Sequence, residues 1–520
     1  MYLAYFSPLS VAAWSVALAI VGYFFFISLN FNAVYDRDYK ICYTGTGKLS
    51  RRLGVFERFF FHQAGGNNTG SIHTVLLLKS EVRLDQGHVK RALLMLLERF
   101  PLLRMRVTDR LNQLWFEEME NSQTLDFRSI EDVNADEWQC AFERQINSLP
   151  FNTERGPLWR IALLRETSDA EGMQILYKNT LLFSFHHIIC DAPSIYELKK
   201  KLVEFLGLLY NSEPTEVTSL PFRPPIECFL HHLITLGIWE RLLICANFTY
   251  HKLRVAFCNS QPTNLFLSTF RPPADSSVAE KTCIIPYNLT RDETLALIRC
   301  SKVNKCTIHG AITAATHLAM SQLLECSHKD LKLPCQIDST YPVNIRKECQ
   351  PRIEREEFGL YASFNSLQIL INSPTLGSPQ KFWEFARSCT TEVHRSIDSG
   401  HHRNFLKLFC CVDIPSFCNV SFHEKDHSLY KTLFNLNNLG SLSIDQEGNS
   451  PYMFAGSYFA VQSTKIRYVM GNNICTINYR LYWAVEYSPE ITTKTQAEEF
   501  VDLSMRIPMD ACSSKSTDSQ

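Results

Sequence analysis

The sequence predicts a mixed α+β protein built as two similar lobes behind one N-terminal transmembrane helix. Three observations carry this. The chain has 520 residues, too many for one small core, so two units of roughly 200 residues are the starting expectation. Strand-like and helix-like segments mix in both halves without regular β-α-β alternation, which points to two α+β lobes rather than one doubly wound sheet. Leu9 to Leu29 carries no charge over 21 positions, about 30 Å as a helix, the thickness of a bilayer's hydrocarbon.

A cleaved signal peptide is the rival reading of that segment, but its apolar part is long and no Lys or Arg precedes it. The flanking basic residues, Arg37, Lys40, Lys48, Arg51 and Arg52, follow it. The positive-inside rule then puts the large remainder on the cytoplasmic side, for example of the endoplasmic reticulum, as a single-pass membrane protein. Sequons at Asn67, Asn247, Asn288 and Asn419 are near chance frequency and do not overturn that orientation. With 52 basic and 53 acidic residues, and no basic stripe, nucleic acid is not an expected partner. Apolar residues make up 45% and include 35 Phe, consistent with a large core. None of the 18 cysteines forms a C-x-x-C pair, so zinc-ribbon and thioredoxin readings lack their basic element.

The expected layout is an anchor over 1–35, a first lobe over 50–265, a second lobe over 275–508 and a polar tail over 509–520. In the first lobe Ser71 to Leu78 reads as a strand. Asp85 is a candidate N-cap for a helix ending at Phe100, with Val89, Ala92, Leu93, Leu96, Leu97 and Phe100 on one face. Pro101 stops it. Leu102 to Val107 and Asn112 to Glu118 suggest a hairpin, and Asp136 to Asn147 a helix. Strands are expected over Leu158 to Arg165 and Leu176 to Phe185. A helix follows, with Pro193 in its first turn, Ser194 and Glu197 at capping-box spacing, and Ile195, Leu198, Leu202, Phe205 and Leu209 as its apolar face. Ile226 to Phe257 is apolar nearly all round and fits a buried helical connection or a membrane-surface hairpin. The second lobe reads as strand Cys283 to Pro286, helix Thr290 to Asn304, an Ala-rich helix Thr307 to Leu324, and strands Gln336 to Ile345, Leu367 to Ile371 and Tyr452 to Gln462. Asn473 to Tyr479 and Leu481 to Tyr487 complete it as a strand pair.

The chemistry centres on His186-His187-Ile188-Ile189-Cys190-Asp191, at the end of an apolar strand and the start of a helix. Histidine takes and returns a proton near neutrality, so a His at a rigid strand end is a candidate general base. A buried histidine pair, with Asp191 capping the next helix, fits these local features equally well. The pairs His231-His232 and His401-His402 serve as internal controls. The first lies in the apolar segment, the second in a polar turn, and neither is followed by Asp at the same spacing.

The six residues resemble the HHxxxD signature of the chloramphenicol-acetyltransferase-like superfamily of acyltransferases, which includes condensation domains, alcohol acetyltransferases and polyketide-associated acyltransferases. Further segments resemble it in the same order: Glu98 to Arg104 (an "RHPLLR" segment), Pro150-Phe151 with Gly156 to Arg160 ("GPLWR"), the Ala-rich helix, Tyr341 to Arg346 ("PVNLR") and Asn438-Leu439-Gly440 ("SNLG"). There is no DFGWG motif, so the plant BAHD branch fits less well. Ala192 stands where Gly commonly follows the Asp, and Asn437 where the late motif has Ser.

The resemblance implies a tunnel between the lobes, entered by an acyl donor from one side and an acceptor from the other. It implies His187 as the general base, His186 as a positional residue and Asp191 as a structural residue pairing with Arg346 across the lobes. It gives Asn438 as a possible oxyanion or substrate contact, with backbone capping the simpler role for that amide. No bound cofactor or metal is implied; acyl-CoA is the expected co-substrate, and its phosphate-binding residues are not identifiable. The expected function is transfer of an acyl group to the hydroxyl of a lipid-like, apolar alcohol by a monomeric catalytic unit at a membrane. Amide formation, or a non-catalytic membrane-tethered scaffold, are the alternatives.

Overall fold

In a computed structural model, the chain is described over residues 41–513 apart from 46, 66–68, 172–173, 245, 247–268, 271–280, 328–332, 420–433, 443–449 and 464–467. The expected anchor over 1–35 lies outside the described residues. Among the described residues, no helix is long and apolar enough to cross a membrane.

The chain opens with β1 (Cys42–Tyr43), β2 (Leu49–Arg52) and α1 (Val55–Ala64), followed by β3 (Ile72–Ser80) and α2 (Gln86–Arg99). Asp85 caps α2 by accepting the His88 N–H at 3.0 Å. The six apolar positions read from its sequence are all nearly inaccessible to solvent. β4 (Met105–Arg110) and β5 (Gln113–Glu118) form the hairpin; its two turn residues, Leu111 and Asn112, have φ of 53° and 61°, the left-handed pair of a tight hairpin turn. Next come β6 (Phe127–Asn134), α3 (Trp138–Ile146), β7 (Trp159–Arg165), β8 (Thr167–Glu171), β9 (Gln174–Phe185) and α4 (Ala192–Tyr210).

The second half contains β10 (Cys283–Asn288), α5 (Arg291–Val303), α6 (Ile308–Ser327), β11 (Cys335–Asn344), β12 (Ala362–Ile371), α7 (Pro379–Asp398), α8 (His401–Phe409), α9 (Ile414–Cys418), β13 (Phe434–Leu442), β14 (Tyr452–Val461), β15 (Met470–Ile477), β16 (Arg480–Tyr487) and α10 (Lys494–Ser513). Ala311, Ala314, Ala315 and Ala319 of α6 are fully buried. Gly310 sits so close to α7 that a Cβ there would lie 1.9 Å from Thr390 Oγ1. Small residues thus allow the two helices their close approach.

Two large sheets form the lobes, one ordered β14-β3-β9-β7-β6 and the other β10-β16-β15-β13-β11-β12. β14 is the main departure from the expected layout. It comes from the second half yet pairs antiparallel with β3 of the first sheet, Tyr452 opposite Ser80 through Val461 opposite Ile72. The lobes are therefore not consecutive in sequence, and the 275–508 boundary does not hold for this strand. β14 covers what would otherwise be an open, apolar sheet edge.

Other expectations are corrected as well. The tail does not begin at Met509: α10 continues to Ser513, with Ala511 buried and its carbonyl accepting from Trp383 Nε1 at 3.2 Å. His401-His402 is not a polar turn but the start of α8, where His402 is fully buried and its Nε2 lies 2.7 Å from Glu348. The described part of the apolar segment, 226–244, is not buried throughout, since Ile238, Trp239 and Leu243 are exposed.

Polar contacts tie the lobes on two sides. Arg223 forms a two-pronged pair with Glu357 at 2.7 and 2.9 Å. Gln139 and Glu143 of α3 meet the backbone of Ile284 at 3.0 Å each.

Candidate active site

The site begins where β9 ends. Residues 181–185 are buried, and the His186 N–H donates to Leu158 O at 2.9 Å. The chain then turns, with Ile189 N–H to His186 O at 3.2 Å, and Ile188, Ile189 and Cys190 fill the core. A strand end clamped on both sides leaves the His187 backbone little freedom.

Asp191 closes the turn, and it, rather than Ser194, is the N-cap of α4. Its Oδ1 accepts the Ser194 N–H at 3.0 Å. Ser194, expected to open a capping box, instead supplies a hydroxyl that donates to Asp191 at 2.8 Å or to Gly359 O at 2.8 Å. Arg346, two residues beyond β11, donates to both Asp191 oxygens at 2.7 and 2.9 Å. The Tyr361 N–H donates to Oδ2 at 2.9 Å, and the Tyr361 ring lies 4.8 Å under the guanidinium. Burial alone would raise the Asp191 carboxyl, but the Arg346 charge and these hydrogen bonds hold it below the usual carboxylate range. The side chains are 3% and 5% exposed, so this is a desolvated pair linking the two lobes.

His187 is partly buried, with Phe60 of α1 stacked on its ring at 3.8 Å and 20°. Its Nδ1 lies 3.1 Å from Cys190 O. A carbonyl oxygen can only accept, so Nδ1 carries the proton and Nε2 keeps its lone pair. Burial lowers its pKa to about 4, against a smaller opposing effect of Asp191, so the ring is neutral at neutral pH. The hydrogen bonds of the Asp191 carboxylate go to Arg346, Ser194 and Tyr361, not to this imidazole. Asp191 therefore fixes the loop rather than the ring. The Cys190 thiol is pushed far up by burial and stays protonated.

His186 is 3% exposed and faces Phe61 and Phe151, with ring centroids 6.2 and 5.9 Å away. Burial lowers it to about 3. It borders a cavity of about 520 Å³ lined also by Phe61, His62, Ala64, Phe151, Thr153 and Pro415.

Asn438 turns back on its own strand, its Oδ1 accepting the Gly440 N–H at 3.0 Å, where Gly440 has φ of 83°. The neighbouring Asn437 is buried and donates to Asn473 Oδ1 at 2.8 Å; Asn473 in turn donates to Glu486 at 2.8 Å. Glu486 is fully buried and burial pushes it up to about 7. The structure thus joins His186, His187, Asp191 and Arg346 around one turn, while the hydrogen bonds of Asn438 are local.

Sequence reasoning missed Phe60, Ser194's bridging role, Tyr361 and Glu486. The Phe59-Phe60-Phe61 run was the available signal for the first. The others act through folding partners far away in the chain.

Comparison with known proteins bears on this geometry. Residues 56–223 match the Condensation domain family model. A wax ester synthase/diacylglycerol acyltransferase of Arabidopsis thaliana is 24% identical over 234 residues, spanning 42% of this chain and 42% of that relative. Among solved structures, the TRI3 trichothecene 15-O-acetyltransferase of Fusarium sporotrichioides superposes with a TM-score of 0.65 at 12% identity, covering 91% of this chain and 97% of that one. Polyketide synthase associated protein 5 of Mycobacterium tuberculosis gives 0.59 at 14%, covering 88% and 98%. These likenesses show a condensation-like fold, and the segment that matches the Condensation domain family model contains the His186–Asp191 turn.

Proposed function

We propose that this protein is an acyltransferase that moves an acyl group from acyl-CoA to the hydroxyl of an apolar alcohol, with His187 as general base. The observation that carries the reading is the tautomer of His187. Its proton is held at Nδ1 by Cys190 O, which leaves a basic Nε2 on a ring that is neutral at working pH.

In this reading Nε2 takes the hydroxyl proton as the alcohol oxygen attacks the thioester carbonyl. The tetrahedral intermediate collapses, the C–S bond breaks, and Nε2–H returns the proton to the departing thiolate. No covalent acyl-enzyme forms, in keeping with the protonated thiol of Cys190. The Asp191–Arg346 pair and Ser194 hold the turn, and His186 packs behind it. The family match and the wax ester synthase relative favour acyl transfer, and the relative's printed activities favour a lipid-like acceptor. The uncharged Leu9 to Leu29 segment supports a single-pass anchor, for example in the endoplasmic reticulum, with the catalytic region in the cytosol.

The test is ester formation by the purified full-length protein from acyl-CoA and a fatty alcohol. His187→Ala is expected to lower the rate roughly 10²–10⁴-fold, the usual worth of a positioned general base. Transfer that survives this change at the wild-type rate refutes the mechanism.

A further inference from the structure

The apolar stretch that begins at Ile226 has no part in the proton transfer, and the structure divides it in two. Its first half is rooted. Ile226, Phe229, Leu230, Ile234 and Leu236 are buried, and the Phe229 carbonyl accepts the Gln350 N–H at 2.8 Å. Its second half projects. Residues 238–244 form a short helix on which Ile238, Trp239 and Leu243 are 60%, 79% and 64% exposed.

The exposed residues are not scattered. Ile238 and Leu242 are four apart, as are Trp239 and Leu243, so all four share one side of the helix. Its charges stand away from that side. Glu240 turns back to accept the Gly237 N–H at 2.9 Å, and Arg241 is half-buried. An exposed apolar face on a rooted element marks a contact surface.

Composition, position and size name the occupant. Trp beside large aliphatic residues suits the boundary between lipid and water. The described chain starts at Ile41, soon after the uncharged Leu9 to Leu29 segment, and its Tyr43 is 71% exposed. That start is tied to the root of the apolar stretch. Arg51 of β2 pairs with Glu57 of α1 at 2.7 Å, and the Val55 N–H of α1 donates to Glu227 at 2.7 Å. The end of the chain that leads to the bilayer and the root of the helix thus belong to one packed unit. A second copy of the chain is a poorer fit, because four side chains fall far short of the roughly 20–30 residues a side of a stable interface.

We propose that the helix over 238–244 docks in the surface of a lipid bilayer, with Ile238, Trp239 and Leu243 at the boundary between headgroups and acyl chains. This rests on the reading of Leu9 to Leu29 as an anchor. The helix would be a second contact that fixes how the catalytic region sits on the membrane.

The experiment places p-benzoylphenylalanine at position 239 of the full-length protein, in microsomes that carry tritiated phosphatidylcholine. Val303, exposed at the end of α5, is the control position. Irradiation is expected to label the protein with lipid several-fold more from position 239 than from 303. Equal labelling, no labelling, an adduct of twice the mass or a cross-link within the chain each overturns the proposal.

A second arm uses the double variant Trp239→Glu with Leu243→Glu, whose fold is checked by circular dichroism and the unfolding midpoint. Acidic side chains oppose burial in lipid, so kcat/KM for 1-hexadecanol carried in vesicles is expected to fall about tenfold, with that for 1-butanol in water unchanged. Equal losses for both alcohols, or none, overturn the proposal. Alkaline carbonate extraction separates it from the anchor reading. If carbonate releases the protein while position 239 still labels lipid, the anchor fails and the docking helix stands. If the protein resists carbonate and position 239 labels no lipid, the docking helix fails alone.

Discussion

Replacing Asp191 by Ala tests the ion pair that joins the lobes. The carboxylate is 3% exposed and accepts from Arg346 at 2.7 and 2.9 Å, from Ser194 N–H at 3.0 Å and from Tyr361 N–H at 2.9 Å. Its removal strands a guanidinium whose side chain is 5% exposed. Breaking a buried pair from one side costs about 3–5 kcal/mol. Loss of the N-cap of α4 is worth about 1 kcal/mol by itself, but the two terms share partners and do not simply add. A total near 4 kcal/mol is a large part of a typical stability of about 5–15 kcal/mol. With an unfolding entropy of about 2.1 cal/mol/K per residue, a cooperative chain of this length would lose roughly 4 °C in Tm. Urea unfolding followed by tryptophan fluorescence measures it, with Arg346→Met and the double variant completing a cycle. The double variant is expected to be less destabilised than the sum of the two single changes, because it leaves no unpaired charge. A loss under about 1 kcal/mol for Asp191→Ala, or strict additivity in the cycle, refutes the reasoning.

Acyl transfer is expected to stay flat across neutral pH and to fall on the acid side well below the ordinary histidine value, since burial sets His187 at about 4; a midpoint near 6.5 in kcat/KM would contradict the buried, neutral ring. The buried histidines also predict acid lability. His73 and His186 lie at about 3, and His187, His309 and His317 at about 4. Protons bind the unfolded chain first, so their contribution is full above about 6.5 and is lost as pH falls toward these values; denaturant midpoints that do not drop between pH 7 and 5 would rule this out. Gly310→Ala is expected to destabilise by about 1–3 kcal/mol through overpacking against Thr390 and the Ala386 carbonyl, despite alanine's better helix propensity; a stabilised variant in thermal unfolding would show that α7 yields. A cytosolic catalytic region leaves all four sequons unmodified in eukaryotic cells, so deglycosylase treatment should not shift the band; a glycan on the exposed Asn419, which borders the cavity beside His186, would contradict that orientation.

Elements whose signals are local could be read before folding. The apolar face of α2, its Asp85 cap and its Pro101 stop all lie within one stretch of chain, and the structure has them. The same is true of β9 leading into α4, and of the Ala-rich α6. The histidine pair was legible because a strand end, two histidines and a carboxylate occupy six consecutive positions. α7 and α8 went unread between recognised segments, and α1 was hidden in a run of phenylalanines. Which residue caps α4 was decided by a competition between Asp191 and Ser194 that spacing could not resolve.

Much of the rest depends on partners that are distant along the chain. Nothing local says that Tyr452 to Val461 leaves its own lobe to pair with β3, since an apolar alternating strand fits either sheet edge. The Nδ1 partner of His187 is local, the carbonyl of Cys190, but its lowered pKa comes from burial, with Phe60 of α1 stacked on the ring, and the Asp191 geometry comes from Tyr361 and Arg346 far along the chain. Residue types set what chemistry was available. Burial and long-range contacts set how firmly the turn is held and which histidine borders the cavity.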